Sequence, residues 1–564
     1  MDTGSLIIDG LIIIGYFVTI TAIGLYMGRK EDSLEDYALG GRRVPWWAVM
    51  ASIIAAETSA ATFIGIPAEG YRRQGIVYTQ LMFGMILGRI LVGRIFLKPY
   101  YVYRVYTVYD FLAVRFGPVS KAYVSALFLV MRMLASGVRL YVPSLVLVLA
   151  WRLFVRRESV QYGHLDSWVP YAWAIVLLTL VTCLYTTIGG IKAVIWTDVI
   201  QATLMFGSAL VAIGTILYDV GHGSLTAGLH AVGRVVPAMT TTRGYFLTGF
   251  EDLPPGATAW EVVRLILANP YTIPAALIGA TVGNMASFGT DQDMVQRMLT
   301  ARDYRKSRRS LVTAALMDLP IAASFSFIGV LLIVFYAQHP DLRPPKPNDV
   351  FGAYILHVMP VVIRGFVLAG VFATAMGSLS AALNALATSL TNDWYIPFFA
   401  RHRSERHYVA AARFFTGLCA ATMIGVAVAF AYANVKDPTL TIIPVALGIA
   451  GYILGPMLGV FLLGMLTRTR GSDRGNVIAV TAGLAAVLIA SGRHVDLANL
   501  LTPGTARYEL PTWFPKVEFT WFQLIGATVT FLVGLLFRTP AGRVAEAAAK
   551  ARTGAAQAEA GAEV

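Results

Sequence analysis

The chain has 564 residues, of which 57% are hydrophobic and 14% charged, with a mean hydropathy of +0.64. Average chains carry about 25% charge, so this composition excludes an ordinary soluble protein and predicts an all-α, polytopic membrane protein. The formal charge of +13 does not require nucleic acid as a partner, because the cations sit in short connections between apolar runs, where cytoplasmic loops collect Lys and Arg.

Apolar runs of about 20 residues, each able to cross a hydrocarbon core of roughly 30 Å, recur along the chain and suggest about 13 spans. Their approximate limits are 6–28, 47–72, 76–102, 121–154, 168–188, 193–219, 271–297, 309–337, 362–391, 408–434, 439–466, 474–492 and 517–537. MDTGSLIIDG at the start lacks the basic region of a cleaved signal peptide, so the first run is expected to be a retained helix. Connections after odd-numbered spans hold most cations, among them Arg29, Lys30, Arg42, Arg43, Arg305 and Lys306. The positive-inside rule then places the N-terminus outside and the C-terminus in the cytoplasm. The tail from 541 is Ala-rich with scattered charges and reads as a frayed helix or disorder. Cys183 and Cys419 both lie in apolar runs, which predicts neither a disulfide framework nor a thiolate metal site.

The second span, WAVMASIIAAETSAATFIGIPAEGY (47–71), is apolar at both ends and small and polar in the middle. A carboxylate at bilayer depth is costly unless it faces a cavity or a partner, and freed backbone groups need protein, water or an ion. The stretch therefore reads as a discontinuous helix lining a binding site; a kinked packing helix is the plainer alternative. The seventh span weakens in the same way at GATVGNMASFGTD (279–291), and four more spans follow each. This suggests two five-helix halves of opposite orientation, 47–219 and 271–466. Residues 1–46 would add a helix and a cytoplasmic loop, 220–270 an external connection, 467–540 two further helices and 541–564 the tail.

The ninth span, GVFATAMGSLSAALNALATSLTNDWY (370–395), offers Thr374, Ser378, Ser380 and Asn384. A hard cation takes several oxygen ligands. Ser378 can give a hydroxyl, Thr374 a carbonyl, and the broken second span further carbonyls at Ala55 and Thr58. Alternatively, each hydroxyl bonds back to its own helix. Asp198, early in the sixth span, either serves an ion path or pairs with a lysine such as Lys192. Arg89, Arg132 and Arg139 can each receive a substrate carboxylate, or pair with Glu57 or Asp318. No phosphate loop, metal-ligand pair or nucleophile elbow is present, so no enzyme is expected.

In chain order, DYALGGRRVPWW (36–47), GIPAEGYRRQG (65–75), IGGIKAVIWTDVIQA (188–202), FGTDQDMVQRML (288–299), SLSAALNALAT (378–388) and GPMLGVFLLGML (455–466) resemble the sodium/solute symporters, which carry proline, sugars, sialic acid, iodide or monocarboxylates and vitamins. The resemblance implies a LeuT-like core of two inverted five-helix repeats. It implies a sodium ion bound by the carbonyls of Ala55, Thr58 and Thr374 and the hydroxyl of Ser378. The family usually has two adjacent hydroxyl residues on the ninth span, and the first is Gly377 here. A second sodium site in some relatives would use Ser378, Ser380 and Asp198, with Ala381 at its remaining hydroxyl position. The substrate region carries over to Glu57, Ser59, Thr62 and Gln80, with Asn284, Ser287 and Phe288.

The implied function is sodium-coupled import of a small polar, carboxylate-bearing solute by a monomer in the cell (inner) membrane. Alternatives are a proton-coupled or sodium-independent carrier using Glu57, a sugar symporter, and a membrane solute sensor. PAEGYR and GPMLGVFLLGM look most like the monocarboxylate, vitamin and iodide branch; GVRLY (137–141) looks more like the proline branch.

Overall fold

The computed structural model describes residues 3–28, 32–73, 75–152, 167–240, 256–436, 442–495, 499, 509–511 and 514–560. Arg29 and Lys30, counted above among the cytoplasmic cations, lie outside them, as do residues 241–255 of the long connection. The described residues are almost entirely helical, with two isolated bridges, Val44 to Ala301 and Arg470 to Arg538.

Helix α1 (Thr3–Met27) is followed by the second span as two pieces, α2 (Trp46–Glu57) and α3 (Ala60–Arg73). Then come α4 (Leu81–Ile95), α5 (Pro118–Arg139), α6 (Tyr141–Trp151) and the 52-residue α7 (Val169–Val220). The seventh span is again divided, a π-helical turn at Ala275–Ala280 leading into α8 (Thr281–Thr290) and then α9 (Gln292–Leu299). Helices α10 (Tyr304–Gln338), α11 (Ile363–Ser389), α12 (Glu405–Lys436), α13 (Ile442–Leu466), α14 (Gly475–Ala490) and α15 (Phe522–Leu535) complete the bundle.

Among the described residues, eight single helices are long and apolar enough to cross a membrane, and the bent α2–α3 pair makes nine. Helix α7 alone covers the expected fifth and sixth spans. It does so as two helical arms, because Gly190 breaks it with φ +51° and ψ −152°. A Cβ there would stand 2.6 Å from the Tyr37 carbonyl oxygen, so both the turn and the close approach require glycine.

Burial explains the architecture. Trp173, Leu177, Leu180 and Leu184 are exposed at helical spacing, a stripe that suits contact with lipid rather than water. The α11 span is the most deeply buried of the candidates, because its Gly and Ala positions let backbones close in. Asp9 of α1 anchors its start: buried, it accepts from Arg364 Nε at 2.7 Å and from the Val362 amide at 2.8 Å. The tail corrects expectation. Residues Ala541–Ala560 form a helix, and a Cβ at Gly554 would fall 1.9 Å from the Val102 carbonyl oxygen, so the tail is seated against the helix at Leu97–Val102 instead of fraying.

Candidate functional site

The second-span break is sharp: α2 and the following helix meet at 67°. Thr58 leaves helical geometry with φ −80° and ψ 113°, its amide still donating to the Ile54 carbonyl. Ser59 opens α3, its carbonyl accepting from the amides of Thr62 and Phe63, as an N-terminal Ser commonly does. A helix that stops at Glu57 leaves its last carbonyls without the usual partners. Ala55 is in that turn, and its carbonyl faces Gly377 of α11: a Cβ on Gly377 would lie 3.1 Å from it.

Ser378, next along α11, lines a cavity with Ala56 and Ser59 from the break, Arg132 and Arg139 from α5, and Asp293 from α9. The cavity is small, with a volume of about 20 Å³, and is partly open to solvent. Of the expected ion and substrate residues, Ser378 and Ser59 line this cavity. Helix α11 itself runs unbroken through Ser378. The back-bonding alternative holds for each hydroxyl: Thr374 donates to the Val371 carbonyl at 2.7 Å, Ser378 to Ala375 at 3.1 Å and Ser380 to Gly377 at 3.1 Å. A donating hydroxyl retains lone pairs, so Ser378 can still meet a cation from the cavity side.

The second break is built on Asp291, which ends α8 with φ −85° and ψ 120° and whose side chain accepts from the Asp293 amide at 3.1 Å. Buried ion pairs radiate from it. Arg132 pairs with Asp291, and with Asp293 at 3.1 Å; Arg297 pairs with Asp293 at 3.1 Å and with Asp198 at 3.3 Å. Asp198 also accepts from Ser52 at 2.5 Å. The lysine pairing weighed for Asp198 is thus replaced: Lys192 reaches Asp36 at 3.4 Å, and the arginine of α9 takes Asp198. Arg139 lines the cavity and makes no hydrogen bond or ion pair among the described residues.

The substrate candidates separate into two groups. Ser59 lies in the cavity and is 3.2 Å from the Thr62 hydroxyl. Glu57, Asn284 and Phe288 instead gather around Arg89, which is fully buried. Arg89 pairs with Glu57, and with Asp318 at 2.6 Å; it donates to Asn284 Oδ1 at 3.0 Å and stacks 4.1 Å over the Phe288 ring. Gln80 is buried just before α4, and Ser287 is half-buried on α8 without being part of the cavity. Sequence reasoning missed Asp291, Asp293 and Arg297 as site residues, although FGTDQDMVQRML displayed two carboxylates and an arginine inside an apolar span. It also passed over Gln201, one turn beyond Asp198.

The model of the sodium:solute symporter family matches residues 37–483. The chain belongs to that family. It is a sodium-coupled membrane carrier rather than an enzyme. Similar proteins include the sodium/sialic acid symporter SiaT of Proteus mirabilis, 28% identical over 86% of this chain and 89% of that one, and the human sodium-coupled monocarboxylate transporter 1, 25% identical over 95% and 88%. A solved structure of a Na+-coupled sialic acid symporter, substrate-bound and outward-open with a novel Na+ site, shares the fold. Its TM-score is 0.74 at 24% identity, covering 94% of this chain and 97% of that one.

Proposed function

We propose that this symporter imports a small polar solute bearing a carboxylate, held in the cavity between the second-span break and α11. Arg139 carries this reading: a guanidinium lining that cavity without an ion-pair partner among the described residues suits an incoming carboxylate. The sialic acid and monocarboxylate carriers among the relatives are named for solutes of that kind. Ser59, Thr62 and Gln80 would contact the rest of the solute. The Arg89 group of Glu57, Asn284 and Phe288, with Ser287 beside it on α8, would hold the second-span break in place.

The coupling ion would sit between Ala55, Thr58, Thr374 and Ser378, oxygen donors that suit a hard cation. By bridging α2 and α11 it favours the conformation in which both reach it, and coupling follows from differential affinity for the two states. A second sodium site on Ser378, Ser380 and Asp198 would draw on Asp198 Oδ1, which has no hydrogen-bond partner among the described residues, while Oδ2 meets Ser52 and Arg297. We also propose thirteen spans, inverted halves at 47–219 and 271–466, an external N-terminus, a cytoplasmic C-terminus and a working monomer.

The test is uptake by proteoliposomes under an inward sodium gradient, with sialic acids, monocarboxylates, amino acids and sugars as competitors. The reading requires saturable uptake of a carboxylate-bearing solute that collapses when choline replaces sodium. Uptake of a neutral sugar alone contradicts it.

A second reading rests on Glu57 and Asp318 sharing Arg89. Two carboxylates against one buried guanidinium leave an excess negative charge at bilayer depth, which a proton removes. A carrier driven through that proton would work in a pH gradient without sodium.

A further inference from the structure

We infer that the helix at Ala541–Ala560 is a strap that holds the cytoplasmic mouth of the carrier shut, an autoinhibitory contact that loosens when the cavity opens inward. This rests on the cytoplasmic placement of the C-terminus proposed above. The face of the helix turned to the protein carries Val544, Ala547, Ala551 and Gly554, one stripe at helical spacing. Small side chains follow Val544, and the backbones close in: a Cβ at Gly554 would stand 1.9 Å from the Val102 carbonyl oxygen. The strap packs on two short helices, Leu97–Val102 and Tyr109–Arg115, and so bridges them.

Those two helices are anchored to different parts of the bundle. The first follows α4 and is tied to the end of α9, Tyr101 donating to the carbonyls of Met298 at 2.7 Å and Ala301 at 2.9 Å. The second is fastened to α13: Phe111 stacks 5.9 Å from Phe461, and Arg115 donates to the Thr467 carbonyl at 2.9 Å and to Thr539 Oγ1 at 3.1 Å. The residues from the link between them into the second helix stitch three cavity helices together. Thr107 donates to Asp393, beyond α11, at 2.6 Å; the Val108 amide donates to Gln292 Oε1 of α9 at 2.9 Å; Asp110 pairs with Lys121 of α5 at 2.6 Å. Helices α5, α9 and α11 each line the cavity, so a solute leaving between their inner ends has to part these bonds, and a strap across both flanking helices resists that. The plainer role is a cap that only shields helix ends. Yet a seam of Ala and Gly buries little apolar surface, whereas Glu546 pairs with Arg543 at 3.0 Å and with Lys550 at 3.7 Å on the outer face, supporting the helix on its own. It can leave its seat as one unit.

The test measures how fast a charged, membrane-impermeant methanethiosulfonate reagent reaches the cavity, in vesicles held in choline chloride. Ser136→Cys places a thiol among the lining residues, and the parent without it gives the background. Ending this chain at Pro540 keeps Thr539 for Arg115 and removes the strap. It should raise the labelling rate in inside-out vesicles by about 2–10-fold, the room that a minor state of a few per cent has to grow, with no rise in right-side-out vesicles. Gly554→Leu cannot sit against the Val102 backbone and should do the same in the whole chain. Gly542→Leu, with nothing within 4 Å of its Cβ, should label as the parent does. A merely structural cap would lower the melting temperature and raise labelling from both faces or from neither; either labelling result overturns the inference. Placement is read separately through Ala548→Cys, on the exposed face of the strap, which should react in inside-out vesicles alone. Reaction in right-side-out vesicles refutes the proposed topology, and the inference with it.

Discussion

Asp198 of α7 meets Arg297 of α9 at 3.3 Å, with both side chains almost wholly buried. The pair ties the long kinked helix to the short helix after the seventh-span break. Removing one partner from a buried pair strands a charge and typically costs about 3–5 kcal/mol. Arg297→Ala should therefore lower the melting temperature of the detergent-solubilised carrier sharply. Asp198→Asn, which keeps an oxygen for Ser52, should cost less. Equal melting of all three proteins would show that the pair does not brace the fold.

Arg139 supports a prediction of the opposite kind. It lines the cavity without an ion-pair partner among the described residues, so replacing it breaks no such pair. Arg139→Gln should leave thermal stability close to that of the parent while raising KM for the carboxylate-bearing solute. A hydrogen bond to a charged group is worth about 1.5–3 kcal/mol, or roughly 10–100-fold. An unchanged KM would remove Arg139 from the substrate site.

Gly84 tests how tightly the seventh span is held. A Cβ there would fall 1.8 Å from the Ala276 carbonyl oxygen, and backbone cannot yield as a flexible side chain can. Gly84→Ala should cost about 1–3 kcal/mol by overpacking, read as a lower melting temperature. Gly283→Ala is the control, since its nearest atom, Gln523 Cδ, would be 3.9 Å away.

Asp349, in the connection before α11, gives a pH prediction. Burial pushes its carboxyl up to about 6, with Lys346 opposing the shift. The folded state then binds this proton more tightly than the unfolded chain does, so the contribution falls as pH rises from about 4 to about 6. Stability measured across that window should decline less in Asp349→Asn than in the parent. A steeper decline in the variant reverses the sign and contradicts the assignment.

Much of this was legible in residues, and the illegible part has a physical cause. AAETSAAT exposed the second-span break because Glu57 and the small polar residues beside it make poor sense in a continuous lipid-facing helix. GATVGNMASFGTD likewise marked the seventh, with the turn itself at Asp291. What periodicity cannot supply is pairing between distant segments. Arg89 joins Glu57 to Asp318, and Arg132 joins α5 to the Asp291 turn; each arginine had several carboxylates within reach in sequence terms, and only packing chose among them. Gly377 shows the same limit from the other side. In the string it is a missing hydroxyl, whereas in space it faces the Gln201 amide and the Ala55 carbonyl.

The proposed coupling rests on one sodium ion held between the broken second span and α11. The most direct measurement is sodium-stimulated uptake by the Ser378→Ala carrier in proteoliposomes, beside the parent at matched protein density. The variant should lose most of its stimulation at sodium concentrations that saturate the parent. Uptake that rises with sodium as it does in the parent would contradict it.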